Sequence, residues 1–183
     1  MAFHAGAWDD CRTRVDQLGT TDPSGESGVL VMCLDAGLAA YGGDPAGATG
    51  KSRLALTAAQ ALGEPWLEGL AGMFDGFASA LTGNHEEAYR RLARTPRDIG
   101  FLDLLLDVNL ALQALLVGRL GEAARLFEAR LHQRYGTYVP VRQIAAAIEG
   151  LGDVADRRGR MRRAVLLLAA ADRLRRQTAP LSP

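Results

Sequence analysis

Net charge is missing from this sequence: 21 acidic residues balance 21 basic ones over 183 positions. No bulk electrostatic field therefore draws the chain to nucleic acid or acidic lipid, and any such affinity has to be local. Cysteine is scarce. Cys11 and Cys33 fit no CxxC or Cys/His ligand spacing, so a reducing cytoplasm is the simpler expectation. Histidine is as thin: His4, His85 and His132 stand far apart, with no cysteine or carboxylate at ligand spacing, and neither a metal nor a cofactor is expected. His85 reads instead as decoration of a helix start, with Glu86 and Glu87 suiting the positive end of its dipole. Long apolar runs are absent too, each being broken by Asp or Gly well before membrane-spanning length. Residues 1–10 show no basic stretch leading into an apolar one, so a soluble, unexported chain without membrane contact is predicted. Lysine is nearly absent, Lys51 being the only one.

What is present is a repeat. The pattern Gly, four residues, small residue occurs as Gly43 to Ala48, Gly83 to Ala88, Gly118 to Ala123 and Gly159 to Ala164, with a weaker copy from Gly6 to Cys11. The intervals between successive glycines are 37, 40, 35 and 41 residues. Each glycine stands between two segments of helical periodicity, where a helix hairpin must turn and a left-handed residue costs least. Seven residues before the four full-copy glycines stand Ala36, Gly76, Ala111 and Gly152, which gives each first helix a small residue at one phase. Four residues after each Ala or Cys come Val15, Ser52, Leu92, Phe127 and Leu168, the larger packing residue of a second helix, with Ser52 the exception.

Small, Gly, Ala and large apolar positions in this order resemble the tetratricopeptide family over nearly the whole chain. The aromatic residues expected in the family's first helices are largely absent and every interval exceeds the usual length, as in a degenerate branch. The tail from Ala147 is similar to the end of the helical-repeat region in large actinobacterial regulators of the LuxR and SARP types. In those proteins the repeats follow an ATPase module. The bias to Arg over Lys, with abundant Ala and Gly, suits the same GC-rich source. The resemblance implies an all-α, right-handed solenoid of about four hairpins plus one leading helix, in one domain over 1–183. Its units are a partial one at 1–19 and full ones at 27–63, 65–96, 98–136 and 139–178.

Helices are expected near 27–42, 44–62, 65–82, 84–95, 98–117, 119–135, 139–158 and 160–177, after a leading helix over 5–18. Val29 to Leu34 alone has a strand-like look, and its continuation through Ala36, Ala39 and Ala40 favours a buried helix. The Gly6 copy has a second helix but no room for its first, so Trp8 and Val15 are expected to fold against the next pair or to enter a dimer contact. Such a start also fits a piece of a longer regulator, with ATPase and DNA-binding parts elsewhere.

Gly47 to Ser52 (GATGKS) ends like a phosphate-binding loop, but Pro45 occupies the place of the required first glycine and no strand leads in. Lys51 therefore reads as a residue of a solvated helix face. Carboxylates inside apolar first helices are weak candidates for acid or base chemistry: Asp35 and Asp75 at equivalent repeat positions, and Asp103 and Asp107 one turn apart. The plainer reading pairs them with arginines. Between 157 and 176 eight arginines face only Asp172, a basic stretch without the interleaved aromatics of a nucleic-acid surface.

Family geometry places the first helices on the concave face, where Leu30, Cys33, Leu70, Met73, Phe77, Leu105, Val108, Leu112 and Leu115 make an apolar groove. The expected function is a protein-interaction or sensor scaffold holding a partner segment or its own copy there, more a binding module than an enzyme. The alternative is a pocket for a small apolar molecule, with Asp35, Asp75 and Asp107 as acid or base residues near it.

Overall fold

A computed structural model describes residues 10, 12–15, 17, 25–96, 101–132 and 141–178. All of their regular structure is helical: α1 (Glu26–Tyr41), α2 (Pro45–Leu62), α3 (Pro65–Leu81), α4 (His85–Arg94), α5 (Phe101–Leu116), α6 (Leu120–His132), α7 (Val141–Arg157) and α8 (Met161–Thr178). The run from Val29 to Leu34 is helix, as its alanine continuation implies. Residues 10, 12–15 and 17 are also helical, and Val15 is buried; Trp8 and Cys11 lie outside the described residues.

One turn is used four times. Gly43, Gly83, Gly118 and Gly159 all have φ between 70° and 81°, the left-handed region that glycine enters without a Cβ penalty. The residue after each glycine donates its N–H to a carbonyl five positions back: Asp44 to Ala39 at 2.9 Å, Asn84 to Ser79 at 3.2 Å, Arg119 to Ala114 at 2.8 Å and Arg160 to Ala155 at 2.8 Å. Each bond satisfies a carbonyl that the ending helix leaves open and fixes the angle at which the next helix departs. Asp44 and Asn84 then cap α2 and α4, accepting from the N–H of Gly47 at 2.8 Å and of Glu87 at 3.3 Å. Pro65 opens α3 in its first turn, where the missing N–H costs nothing.

The chain divides into two compact units, 1–102 and 103–183. The sequence reads as one repeat domain; chain-local hairpins, however, bury their apolar faces mainly against sequence neighbours, so no single core need span them all. In the first unit α1 packs on α2, α2 on α3, α3 on α4, and α1 also reaches α3. Val29, Cys33, Ala55, Ala59, Leu67 and Ala71 form its buried core. Ala39, Ala48 and Ala78 make a second cluster of side chains small enough for three helices to approach closely. In the second unit α6 packs on α7 and α7 on α8. Ala48, Ala88, Ala123 and Ala164, five residues after the turn glycines, are all buried, as close helix packing requires.

The closest approach in the second unit joins α6 and α7. A Cβ on Gly150 would come within 2.2 to 2.6 Å of three ring carbons of Phe127, which is fully buried. Gly150→Ala is expected to cost about 1–3 kcal/mol by overpacking. Gly50, exposed within α2 with open space around it, supplies the contrast: Gly50→Ala gains about 0.5–1 kcal/mol from helix propensity alone. Urea unfolding of the two variants measures both signs.

Candidate functional site

A cleft of about 470 Å³ opens in the first unit between α2 and α4, over a floor made by α3. α3 turns two faces to its surroundings. Leu67 and Ala71 enter the core, whereas Glu68, Gly72 and Asp75 follow one another at helical spacing along the cleft. Arg53 and Gln60 come from α2, and Arg91 and Arg94 from α4. Gly72 is needed here because Thr95 lies against it: a Cβ would come within 2.9 Å of the Thr95 hydroxyl oxygen.

Asp75 is buried at the centre. An isolated carboxylate there would be costly, and its neighbours remove the cost. Arg91 pairs with Asp75 through one terminal nitrogen, and its Nε donates to Glu87 Oε1 at 2.8 Å, one turn back on α4. Ser52 Oγ, itself fully buried, lies 3.4 Å from Asp75 Oδ1 and can donate to it, with the Thr49 carbonyl as a second acceptor at 3.2 Å. Burial works against the charge of Arg91, but its hydrogen bond to Glu87 and the adjacent Asp75 outweigh it and raise its pKa. The same hydrogen bond, seen from Glu87, lowers that carboxyl's pKa despite some desolvation. Both Asp75 oxygens accept hydrogen bonds, which suits a fixed anchor for Arg91.

Asp35 has the equivalent arrangement one hairpin earlier. Its carboxylate meets Lys51 Nζ at 2.7 Å, with both side chains about one-third exposed. The aspartate stands eight residues before the turn glycine and the cation eight after it, in both hairpins: Asp35, Gly43, Lys51 and Asp75, Gly83, Arg91. In the second unit the same register holds Leu110 and Leu126 about Gly118, and Leu151 and Leu167 about Gly159. All four leucines are buried or half-buried. One register thus holds an ion pair in the first two hairpins and leucine at both positions in the last two.

The phosphate-loop-like segment Gly47 to Ser52 lies within α2. Gly47 N–H is taken by Asp44, Lys51 by Asp35 and Ser52 by Asp75, so its groups serve cap and hairpin contacts. Asp107 lies half-buried on α5 in the second unit. Burial lowers the pKa of Arg130 on α6, and the charge of Asp107 works in the opposite direction. Asp103 Oδ1 is buried without a hydrogen bond among the described residues. Asp35 and Asp75 are therefore tied separately, each to the cation of its own hairpin. Among the described residues no group of three His, Cys, Asp or Glu is placed to hold a metal ion, and no helix is long and apolar enough to cross a membrane.

The nine residues expected to line an apolar groove divide into two sets. Cys33, Met73, Val108 and Leu115 are buried, so they are core residues and not open groove wall. Cys33 sits against Ala55, Ala59 and Leu67, and burial pushes its thiol pKa up to about 12. Leu30, Leu70, Phe77, Leu105 and Leu112 are half-buried and keep a surface. The reason is the tightness of the packing, since alanines on the second helices let first helices sink their longer side chains inward. Arg91 and Thr95 were not singled out from sequence, and Glu87 only as part of a helix start, although a cation eight residues beyond each of two glycines was readable there.

No protein-family model and no curated protein matches the chain. Among solved structures, the crystal structure of BtubC (BKLC) from P. vanneervenii is similar, with a TM-score of 0.73 at 16% sequence identity, over 97% of this chain and 75% of that one. At that identity the likeness concerns the fold alone.

The two ion pairs predict unequal costs at one register. Arg91→Ala strands a buried carboxylate and is expected to lose about 3 kcal/mol. Lys51→Ala removes a surface pair and loses less than about 1 kcal/mol. Denaturation midpoints at neutral pH check the ratio.

Proposed function

We propose that this chain is a tetratricopeptide-like repeat scaffold, a right-handed solenoid that binds a protein segment or its own copy and belongs with the actinobacterial transcriptional regulators of the LuxR and SARP types. The observation that carries this reading is the fourfold reuse of one turn and one buried alanine, the mark of equivalent repeated units. Such stacks work as extended binding surfaces. Leu30, Leu70, Phe77, Leu105 and Leu112 supply apolar surface on first helices for a partner. The carboxylates favour a binding role: Asp35 and Asp75 are held in ion pairs, and Asp107 lies within the field of Arg130. The buried free thiol of Cys33 suits a reducing cytoplasm. The basic stretch from 157 to 176 carries no aromatic residue, which favours protein over nucleic acid as the partner.

A second reading rests on the cleft over Asp75. Its walls carry Arg53, Arg91 and Arg94, so a small molecule held there would be polar and anionic in place of the apolar ligand expected from sequence.

Native mass spectrometry of the freshly purified protein separates the two. The scaffold reading predicts protein mass alone, as monomer or dimer, whereas a stoichiometric small-molecule adduct would contradict it. Phe77→Glu and Leu112→Glu are expected to weaken any dimer by about tenfold or more, as loss of an apolar contact at an interface does, with the helical circular dichroism retained. Unchanged association in both variants would count against the first-helix surface.

A further inference from the structure

The cleft over Asp75 has two ends of different chemistry. Ser52 of α2 reaches Asp75 of α3, so its neighbour Arg53 stands at the Asp75 end, where Arg91 of α4 is held by its own bond to Asp75. α3 doubles back along α2 after a two-residue connection. Gln60 lies eight residues on from Ser52 along α2, and Glu68 lies seven back from Asp75 along α3. Both therefore fall at the opposite end of the cleft, about 10 Å away at the rise of an α-helix. Between the ends come Leu56, Pro96 and Arg94, the last next to Thr95, which packs on Gly72.

The charges at the two ends are not engaged with one another. Arg91 places Nε on Glu87 and Nη1 on Asp75, which fixes the guanidinium and leaves Nη2 without an acceptor among the described residues. Arg53 and Arg94 are exposed, and neither side chain enters a hydrogen bond or ion pair among the described residues. Glu68 is half-buried and equally without a described partner. Asp75 and Glu87 offset Arg91. Glu87 also feels Arg94, whose charge adds to the hydrogen bond from Arg91 in lowering its pKa, but it forms no ion pair with Arg94. Arg53 and Arg94 thus carry the positive charge left unmet, and Glu68 faces them from the far end.

Three guanidiniums arriving from two walls suit a ligand with oxygens in more than one plane. A carboxylate is planar, and one guanidinium satisfies it bidentately. A phosphoryl group offers three oxygens in three directions and about two negative charges for Arg53 and Arg94 to meet. Arg91, already fixed, has little side-chain freedom to lose on binding, while the other two close over the ligand from either wall. Gln60 and Glu68 accept hydrogen bonds, so they suit hydroxyl or amino donors at the other end of the same molecule. The like charge of Glu68 also keeps the phosphoryl group at the Asp75 end.

We propose that this cleft binds a phosphomonoester, with the phosphoryl group among Arg53, Arg91 and Arg94 and with hydroxyl or amino groups about 10 Å along at Gln60 and Glu68. The proposal rests on the reading of the cleft as an anion site and names the anion. A free small molecule and a phosphorylated residue of a bound protein segment share this chemistry.

Isothermal titration of the full chain tests it with inorganic phosphate, glucose 6-phosphate, glucuronate, which carries a carboxylate at the same carbon, and a phosphoserine peptide beside its unphosphorylated form. The peptide has a lysine three residues after the phosphoserine, about 10 Å on in an extended chain. Glucose 6-phosphate or the phosphopeptide is expected to bind saturably and one to one, about tenfold or more tighter than its unphosphorylated counterpart, and more weakly as salt rises from about 50 to about 500 mM. Arg53→Gln and Arg94→Gln, at exposed positions, are each expected to weaken that binding about tenfold or more with circular dichroism unchanged. Arg125→Gln, the same charge change at an exposed position of α6, is expected to leave it unchanged. Glu68→Ala is expected to cost the ester its advantage over inorganic phosphate and to leave inorganic phosphate bound at least as tightly. A preference for the sugar phosphate or for the phosphopeptide identifies the source, and both support the assignment. Glucuronate bound as tightly as glucose 6-phosphate, with the same loss in Arg53→Gln, keeps the anion reading and overturns the phosphoryl assignment. No saturable binding of phosphate, ester or glucuronate overturns both, and an equal loss in Arg125→Gln overturns the site in favour of net charge alone.

Discussion

The left-handed turn at Gly43, Gly83, Gly118 and Gly159 is the constraint from which the other contacts follow. Once the residue after the glycine bonds to a carbonyl five positions back, the entering and leaving helices meet in one register. That register brings position eight before the glycine toward position eight after it, and puts the alanine five after it in the buried seam. A Cβ at the turn would tax the left-handed backbone, and a different loop length would shift every pair along the hairpin at once.

Within that fixed register the chain makes two chemical choices. The first unit pairs Asp with Lys or Arg across the hairpin, and the second has leucine at both positions of the same register. An ion pair and an apolar pair of similar size are close in net stability, since the Coulomb gain of a buried pair is largely spent on desolvation. The difference is in what the surface then offers. Asp75 draws Arg91, Glu87 and Ser52 into a polar network and leaves a charged cleft beside it, whereas the leucine hairpins keep their charges on exposed residues such as Arg160, Arg162 and Arg163.

Helix content, the four turns and the small-residue seams were legible in the sequence because each depends on one residue type at one spacing: glycine for a positive φ, alanine for close approach. Ser52 looked like a defect in the pattern. It is matched to Asp75, 23 residues further on, and its fit depends on a contact between hairpins that no single-repeat spacing reveals. The same limit applies to the apolar groove. Periodicity placed Cys33, Met73, Val108 and Leu115 on first-helix faces, but which of those faces sink into the core depends on alanines of neighbouring helices such as Ala55 and Ala59. Met161 and Val165 of α8 likewise stand at buried-type positions of the repeat, yet both are exposed, which the spacing alone does not show.

The central claim, that one register accepts either kind of pair, is tested most directly by converting the second hairpin to the chemistry of the third and fourth with Asp75→Leu and Arg91→Leu, singly and together. Urea unfolding is predicted to find the double variant within about 1.5 kcal/mol of the parent, and each single variant less stable than the double, because each leaves one charge behind. A double variant that loses as much as the two single variants combined would contradict the account, for the hairpin positions would then not be equivalent.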